Sequence, residues 1–176
     1  MFQHRLALIA PVLLATACAT PAPADDVPPP LRAAQGERLL TVLLAKGVQI
    51  YECRAKADEP DVVEWAFIAP EAELLDARGQ RVGKHYGGPS WESTDGSKLV
   101  GAVKARAEAP EDGAIPWLLL STKSVGAAGA FSGVSSIQRV NTLGGVAPPA
   151  GGCTTASLGK TERVGYTADY RLWGKS

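Results

Sequence analysis

An all-β domain, an antiparallel sandwich or barrel of about eight or nine short strands, is the fold class this chain predicts. Three features lead to it. Beyond Pro30, apolar and polar residues alternate with period two. The runs are short, and Gly, Pro and Asp-Gly turn signals separate them. No long helical pattern, internal repeat or second domain interrupts the series. The 176 residues, 45% hydrophobic and 20% charged, suffice for one domain with its own core.

Ahead of the strands, Met1-Phe2-Gln3-His4-Arg5 and the apolar run 6–17 have the charged and hydrophobic regions of a secretion signal, expected over residues 1–24. The run is shorter than the roughly 20 residues of a spanning helix. Two processing routes are open. Ala22-Pro23-Ala24 offers cleavage before Asp25. Ala15-Thr16-Ala17-Cys18 offers a lipobox, in which Cys18 would carry lipid and lead the mature chain, although Ala15 stands where Leu is usual. The Pro- and Ala-rich residues 20–30 would form a tether to a single β domain over 31–176.

The first strands are expected at 37–45 and 48–54, joined as a hairpin at Lys46-Gly47. Leucines 39, 40, 43 and 44 also fit one face of a helix. Val63, Trp65 and Phe67 alternate with Glu64, Ala66 and Ile68 in a strand stopped by Pro70. Residues 72–76 and 80–86 flank the turn Ala77-Arg78-Gly79. Residues 91–93 and 97–107 flank Thr94-Asp95-Gly96, whose Asp-Gly pair is a strong hairpin signal. The continuous apolar run 115–122 reads as a strand buried on both faces, and 135–141 and 163–173 complete the set. In the last, Val164, Tyr166, Ala168, Tyr170 and Leu172 share one face.

Cys53 and Cys153, the cysteines beyond the signal, are expected to form a disulfide in an oxidising compartment. Lys plus Arg (18) equals Asp plus Glu (18), and no basic stripe favours a nucleic-acid partner. Catalytic motifs are scarce. Gly133-Val134-Ser135-Ser136-Ile137 lacks the last glycine of a nucleophile elbow. A single histidine beyond the signal and cysteines without C-x-x-C spacing predict no metal site. Neither a Walker loop nor a G-x-G-x-x-G fingerprint is present, and no cofactor is expected.

The stretch from His85 to Ser97 is the most unusual. His85 could act as acid or base, oriented by Glu92 or Asp95, while Tyr86 and Trp91 could supply an apolar or sugar-stacking platform. Arg139 and Asn141, ahead of Gly144-Gly145, could hold an anion or a carbonyl. The plainer reading assigns Asp95 to its hairpin, Trp91 to the core and Asn141 to a turn. The leading functional expectation is an exported ligand-binding module in the periplasm or envelope, its site lined by Tyr86, Trp91, Arg139 and Asn141. A hydrolase or lyase using His85, Glu92 and Asp95 on a small or carbohydrate-like substrate is the rival, and a structural envelope protein the third reading. The expected partner is a small molecule or an envelope component. A lipid anchor is the only expected membrane contact, and secretion is the alternative to a periplasmic or outer-membrane location.

Several segments, in order, carry a resemblance: Gly47-Val48-Gln49-Ile50-Tyr51-Glu52-Cys53, the stretch His85-Tyr86 to Gly96-Ser97, Ile115-Pro116-Trp117-Leu118-Leu119-Leu120, Gln138-Arg139-Val140-Asn141-Thr142, Gly144-Gly145, Gly152-Cys153 and Tyr166-Thr167-Ala168-Asp169-Tyr170. Together they resemble an exported bacterial and fungal family known as domain of unknown function 3455. The resemblance implies an extracytoplasmic, β-rich domain and brings no reaction, substrate or catalytic residue with it.

Overall fold

The computed structural model describes residues 27–175; the expected signal and Cys18 lie outside them. Eight strands hydrogen-bond in chain order and the last closes on the first, giving an antiparallel up-and-down barrel with no free edge. They are β1 (Glu37–Ala55), β2 (Val63–Leu75), β3 (Arg81–Tyr86), β4 (Ser90–Ser93), β5 (Lys98–Ala107), β6 (Trp117–Ser124), β7 (Val134–Gly144) and β8 (Thr161–Lys175). Between the sandwich and the barrel that the sequence allowed, the structure takes the barrel.

Two local readings are corrected. Lys46-Gly47 is not a turn, because β1 runs straight through it, with Gly47 paired to Ala72 on one side and Tyr166 on the other. Glycine is needed there for room: a Cβ at Gly47 would fall on the Glu71 carbonyl and on Ala72. Pro70 does not stop β2 either. It pairs with Gln49 beside a bulge at which Ile68 has no partner, the kind of irregularity where a sheet tolerates proline. The turns at 76–80 and 94–97 are found where the sequence places them. Asp76 Oδ1 accepts from the N–H groups of Arg78 and Gln80 in the first of them, and Gly79 and Gly96 take positive φ.

Leu43, Leu74, Leu99, Ile137 and Leu172 fill the interior toward the end that carries the β2–β3, β4–β5 and β6–β7 connections. Phe131, from the β6–β7 connection, is buried there. Asp95 holds that connection in place. Its carboxylate accepts from the N–H and hydroxyl of Ser97 and, at 2.7 Å, from the N–H of Ala130, while the Ser97 hydroxyl accepts from Phe131 N–H. This end is closed.

The continuous apolar run in β6 is explained on both sides. Leu118 and Leu120 face the core, whereas Trp117 and Leu119 face outward and are covered by Val27 and Leu31. The N-terminal strap is also hydrogen-bonded: Gln138 Nε2 donates to the Leu31 carbonyl at 2.6 Å, and Trp173 Nε1 donates to Gln138 Oε1 at 2.9 Å. Glu37, at the start of β1, accepts from the hydroxyls of Ser135 and Ser136. Cys53 and Cys153 form a disulfide that ties the long β7–β8 connection to the end of β1.

Candidate functional site

The other end of the barrel is open. A cavity of about 380 Å³ reaches into it between the β1–β2, β3–β4, β5–β6 and β7–β8 connections. Its walls are mostly apolar, and irregularities in the strands shape its mouth. The bulge at Ile68 turns both Phe67 and Ile68 toward the opening. A second bulge between Val103 and Ala105 brings Arg106 to the cavity alongside Val103. Phe67, Ile68 and Val103 all remain about half exposed, an apolar rim.

His85 and Trp91 stand at the inner wall. They pair across β3 and β4, and their rings stack with centroids 4.4 Å apart, with Tyr170 edge-on to both. His85 Nδ1 lies 2.9 Å from the Ser90 carbonyl, which can only accept, so Nδ1 carries the proton. Burial drives the His85 pKa down to about 3, aided by the positive charge of Arg139 and opposed by the bond to Ser90. The ring is therefore neutral at ordinary pH and Nε2 keeps its lone pair.

Arg139 lines the cavity from β7. Its Nε and Nη2 both donate to the Pro116 carbonyl, at 3.1 and 2.7 Å, which fixes the guanidinium at the mouth of the β5–β6 connection. Among the described residues no carboxylate pairs with it, and none lines the cavity. Tyr51 donates to the Gly145 carbonyl at 2.7 Å. Gln49 Nε2, Trp91 Nε1 and the Tyr170 hydroxyl belong to cavity-lining residues, are buried, and make no well-formed hydrogen bond. The Tyr166 hydroxyl, beside that of Tyr170 and interacting with it, likewise makes no well-formed hydrogen bond. Burial pushes the pKa of both tyrosines up, so both stay neutral phenols.

The residues that the sequence singles out divide. His85, Trp91 and Arg139 meet at the cavity. Tyr86 and Glu92 lie on the outer wall, where the Tyr86 hydroxyl donates to Glu92 at 2.7 Å and Lys84 pairs with the same carboxylate. Asp95 sits at the closed end, in its turn. Neither carboxylate touches His85, so the acid–base grouping of His85, Glu92 and Asp95 is not assembled. Asn141 is exposed, takes a left-handed φ of 50° in a bulge of β7, and donates to Asp169. Gln49, Tyr51 and Tyr170 are cavity residues that sequence reasoning missed. The available signal was parity: Gln49 is the polar member of the inward set Leu43, Ala45, Tyr51 and Cys53 on β1. A furrow on the outer wall, between Lys46 and Arg163, carries the ion pairs of Arg163 with Glu71 and Arg81 with Glu73.

No group of His, Cys, Asp and Glu side chains suited to a metal ion occurs among the described residues. Comparison with curated proteins and with solved structures finds no match. A family model described as "Protein of unknown function (DUF3455)" matches residues 33–174, the barrel from the strap to the last strand. The chain belongs to that family.

Proposed function

We propose that this barrel is an exported binding module that takes a small molecule into its open end. One observation carries the reading: a cavity of about 380 Å³ with apolar walls and a few converging polar groups, several of them buried without a partner. Small-molecule sites typically have about 300–1,000 Å³ and this mixture of walls. Unsatisfied buried donors are uncommon, because each costs roughly 1–3 kcal/mol. An occupant that accepts from them accounts for their retention. The disulfide fits an oxidising compartment and supports the exported location. A hydrolase built on His85 with Glu92 or Asp95 finds no support, since both carboxylates are engaged elsewhere.

The test uses N-phenyl-1-naphthylamine, a neutral apolar dye whose emission rises in a dry cavity, with native mass spectrometry of protein taken from its own cells. Ile68 lines the mouth and is half exposed, so Ile68→Trp narrows the opening without entering the core. The expected result is dye binding by the wild type, weaker binding by Ile68→Trp, and a discrete added mass. A folded wild type that neither binds the dye nor carries added mass defeats the proposal.

A further inference from the structure

We infer that the occupant is a small amphipathic anion: a carboxylate-type head on a short apolar body. The inference rests on the binding reading above and adds the chemistry of the ligand.

The charges of the cavity are one-sided. Two arginines, Arg106 and Arg139, line it, and no aspartate or glutamate does. Arg139 is partly buried and has no ion-pair partner among the described residues. A partly desolvated cation without a counter-ion carries a cost, and proteins ordinarily pair buried charges. Here the guanidinium spends Nε and Nη2 on one backbone carbonyl. It has five N–H donors in a planar fork, so donors remain for the neighbouring Tyr170 hydroxyl and for an incoming acceptor.

The neutral groups point the same way. Two buried donors on cavity residues, Gln49 Nε2 and Trp91 Nε1, have no partner and can only donate, while the Tyr170 hydroxyl makes no well-formed bond and interacts with Tyr166 and Arg139. Tyr170, 1% exposed, feels the Arg139 charge directly, which places the phenol and the guanidinium in one neighbourhood. A carboxylate supplies two oxygens with about four acceptor sites and would satisfy several of these donors together.

The body is set by the walls. Phe67, Ile68 and Val103 form an apolar rim beside the exposed Arg106, and Leu118 and Leu120 continue the apolar lining, so the walls suit an apolar body. At about 380 Å³ the cavity is near the small end of ligand pockets, which excludes a long-chain lipid held entirely within it.

Displacement of N-phenyl-1-naphthylamine by octanoate, octanol and octylamine separates head from body, because the three share one chain. Octanoate is expected to displace the dye at concentrations about tenfold or more below octanol, the effect of one or two charge-assisted hydrogen bonds. Octylamine is expected to be the weakest, and added salt to weaken octanoate alone. Arg139→Gln is expected to bring octanoate to the level of octanol. Arg139→Lys, which keeps the charge and loses the fork, should retain part of the preference. Equal displacement by octanoate and octanol in the wild type overturns the anion inference while leaving the binding module intact. A folded wild type that neither binds the dye nor carries added mass removes the binding reading, and this inference falls with it. The wild-type comparison needs no variant, so a poorly folding Arg139→Gln protein does not weaken the test.

Discussion

Replacing both Cys53 and Cys153 by alanine removes a bridge between residues 100 apart in sequence. The chain-entropy treatment of cross-links assigns about 4.7 kcal/mol at 25 °C to a loop of that length, all of it through the unfolded chain. The structure shows why most of that figure should be seen here. Cys53 N–H donates to the Lys160 carbonyl and Gly159 N–H donates to the Cys53 carbonyl. The β1–β8 ladder continues alongside, from Glu37↔Lys175 to Glu52↔Thr161. The folded geometry around the cysteines is therefore held without the bridge, and the loss falls on the denatured side. Alanine avoids burying two hydroxyls at sites that are almost fully enclosed. Urea melts of the oxidised wild type and the double variant should differ by about 4 kcal/mol, with a larger m-value for the variant because its unfolded chain is more open. In a domain of this size that is a drop of about 8–16 °C in Tm. A difference under about 1 kcal/mol, with the wild type shown to be oxidised by its mass, refutes the argument.

Three further outcomes follow from single side chains. Burial holds the folded His85 pKa at about 3, below the ordinary histidine value of 6.5. Between those pH values the unfolded state binds the proton and the folded state does not, so stability is full above pH about 6.5 and falls on acidification, by up to about 1.4 kcal/mol per pH unit. His85→Phe should lose that component of the slope in urea melts at pH 7, 5 and 4; an unchanged slope contradicts a neutral buried ring. Asp95→Ala should speed amide exchange at Ala130 and Phe131 while dye binding at the far end persists. Hydrogen bonds from Ser97 and Ala130 hold the Asp95 carboxyl below its ordinary range, so its contribution is present above pH about 4 and fades below, where wild type and variant converge. Slow exchange retained in the variant would show that the β6–β7 connection is held otherwise. Gly101→Ala puts a Cβ 2.7 Å from the Trp91 ring and should cost about 1–3 kcal/mol, with a shift in Trp emission; a neutral result would mean that the ring has room to move.

The sequence announces the fold through its turns and its parity. Asp95-Gly96 and Gly79 mark hairpins because positive φ is a local requirement, readable without the partner strand. The inward set Tyr166, Ala168, Tyr170 and Leu172 is readable because strand periodicity is local too. Gly47 misleads because its reason lies across the sheet, in the backbone of Glu71 and Ala72. Pro70 misleads because the bulge that tolerates it is a property of the β1–β2 pair. The site divides along the same line. His85 and Trp91 pair directly across a short hairpin and appear together in the sequence. Their neighbour Tyr86 and the nearby Glu92 point the opposite way, and the hairpin's inward face is chosen only when the ring closes. Gln49 and Tyr170 come from the strands on either side of the closing seam, far from His85 in the chain.

The strap on the outer wall also sets the end from which the chain enters the barrel. Leu31 is fastened at the level of Gln138, and six residues later Glu37 is fastened at Ser135 and Ser136, nearer the closed end. Val27 belongs to the patch of Trp117 and Val140, residues that stand toward the open end. The polypeptide thus runs down the outside from lip to base before entering the first strand. Val27 and the cavity mouth therefore lie at the same end of the barrel, so the chain enters the fold from the side on which the cavity opens.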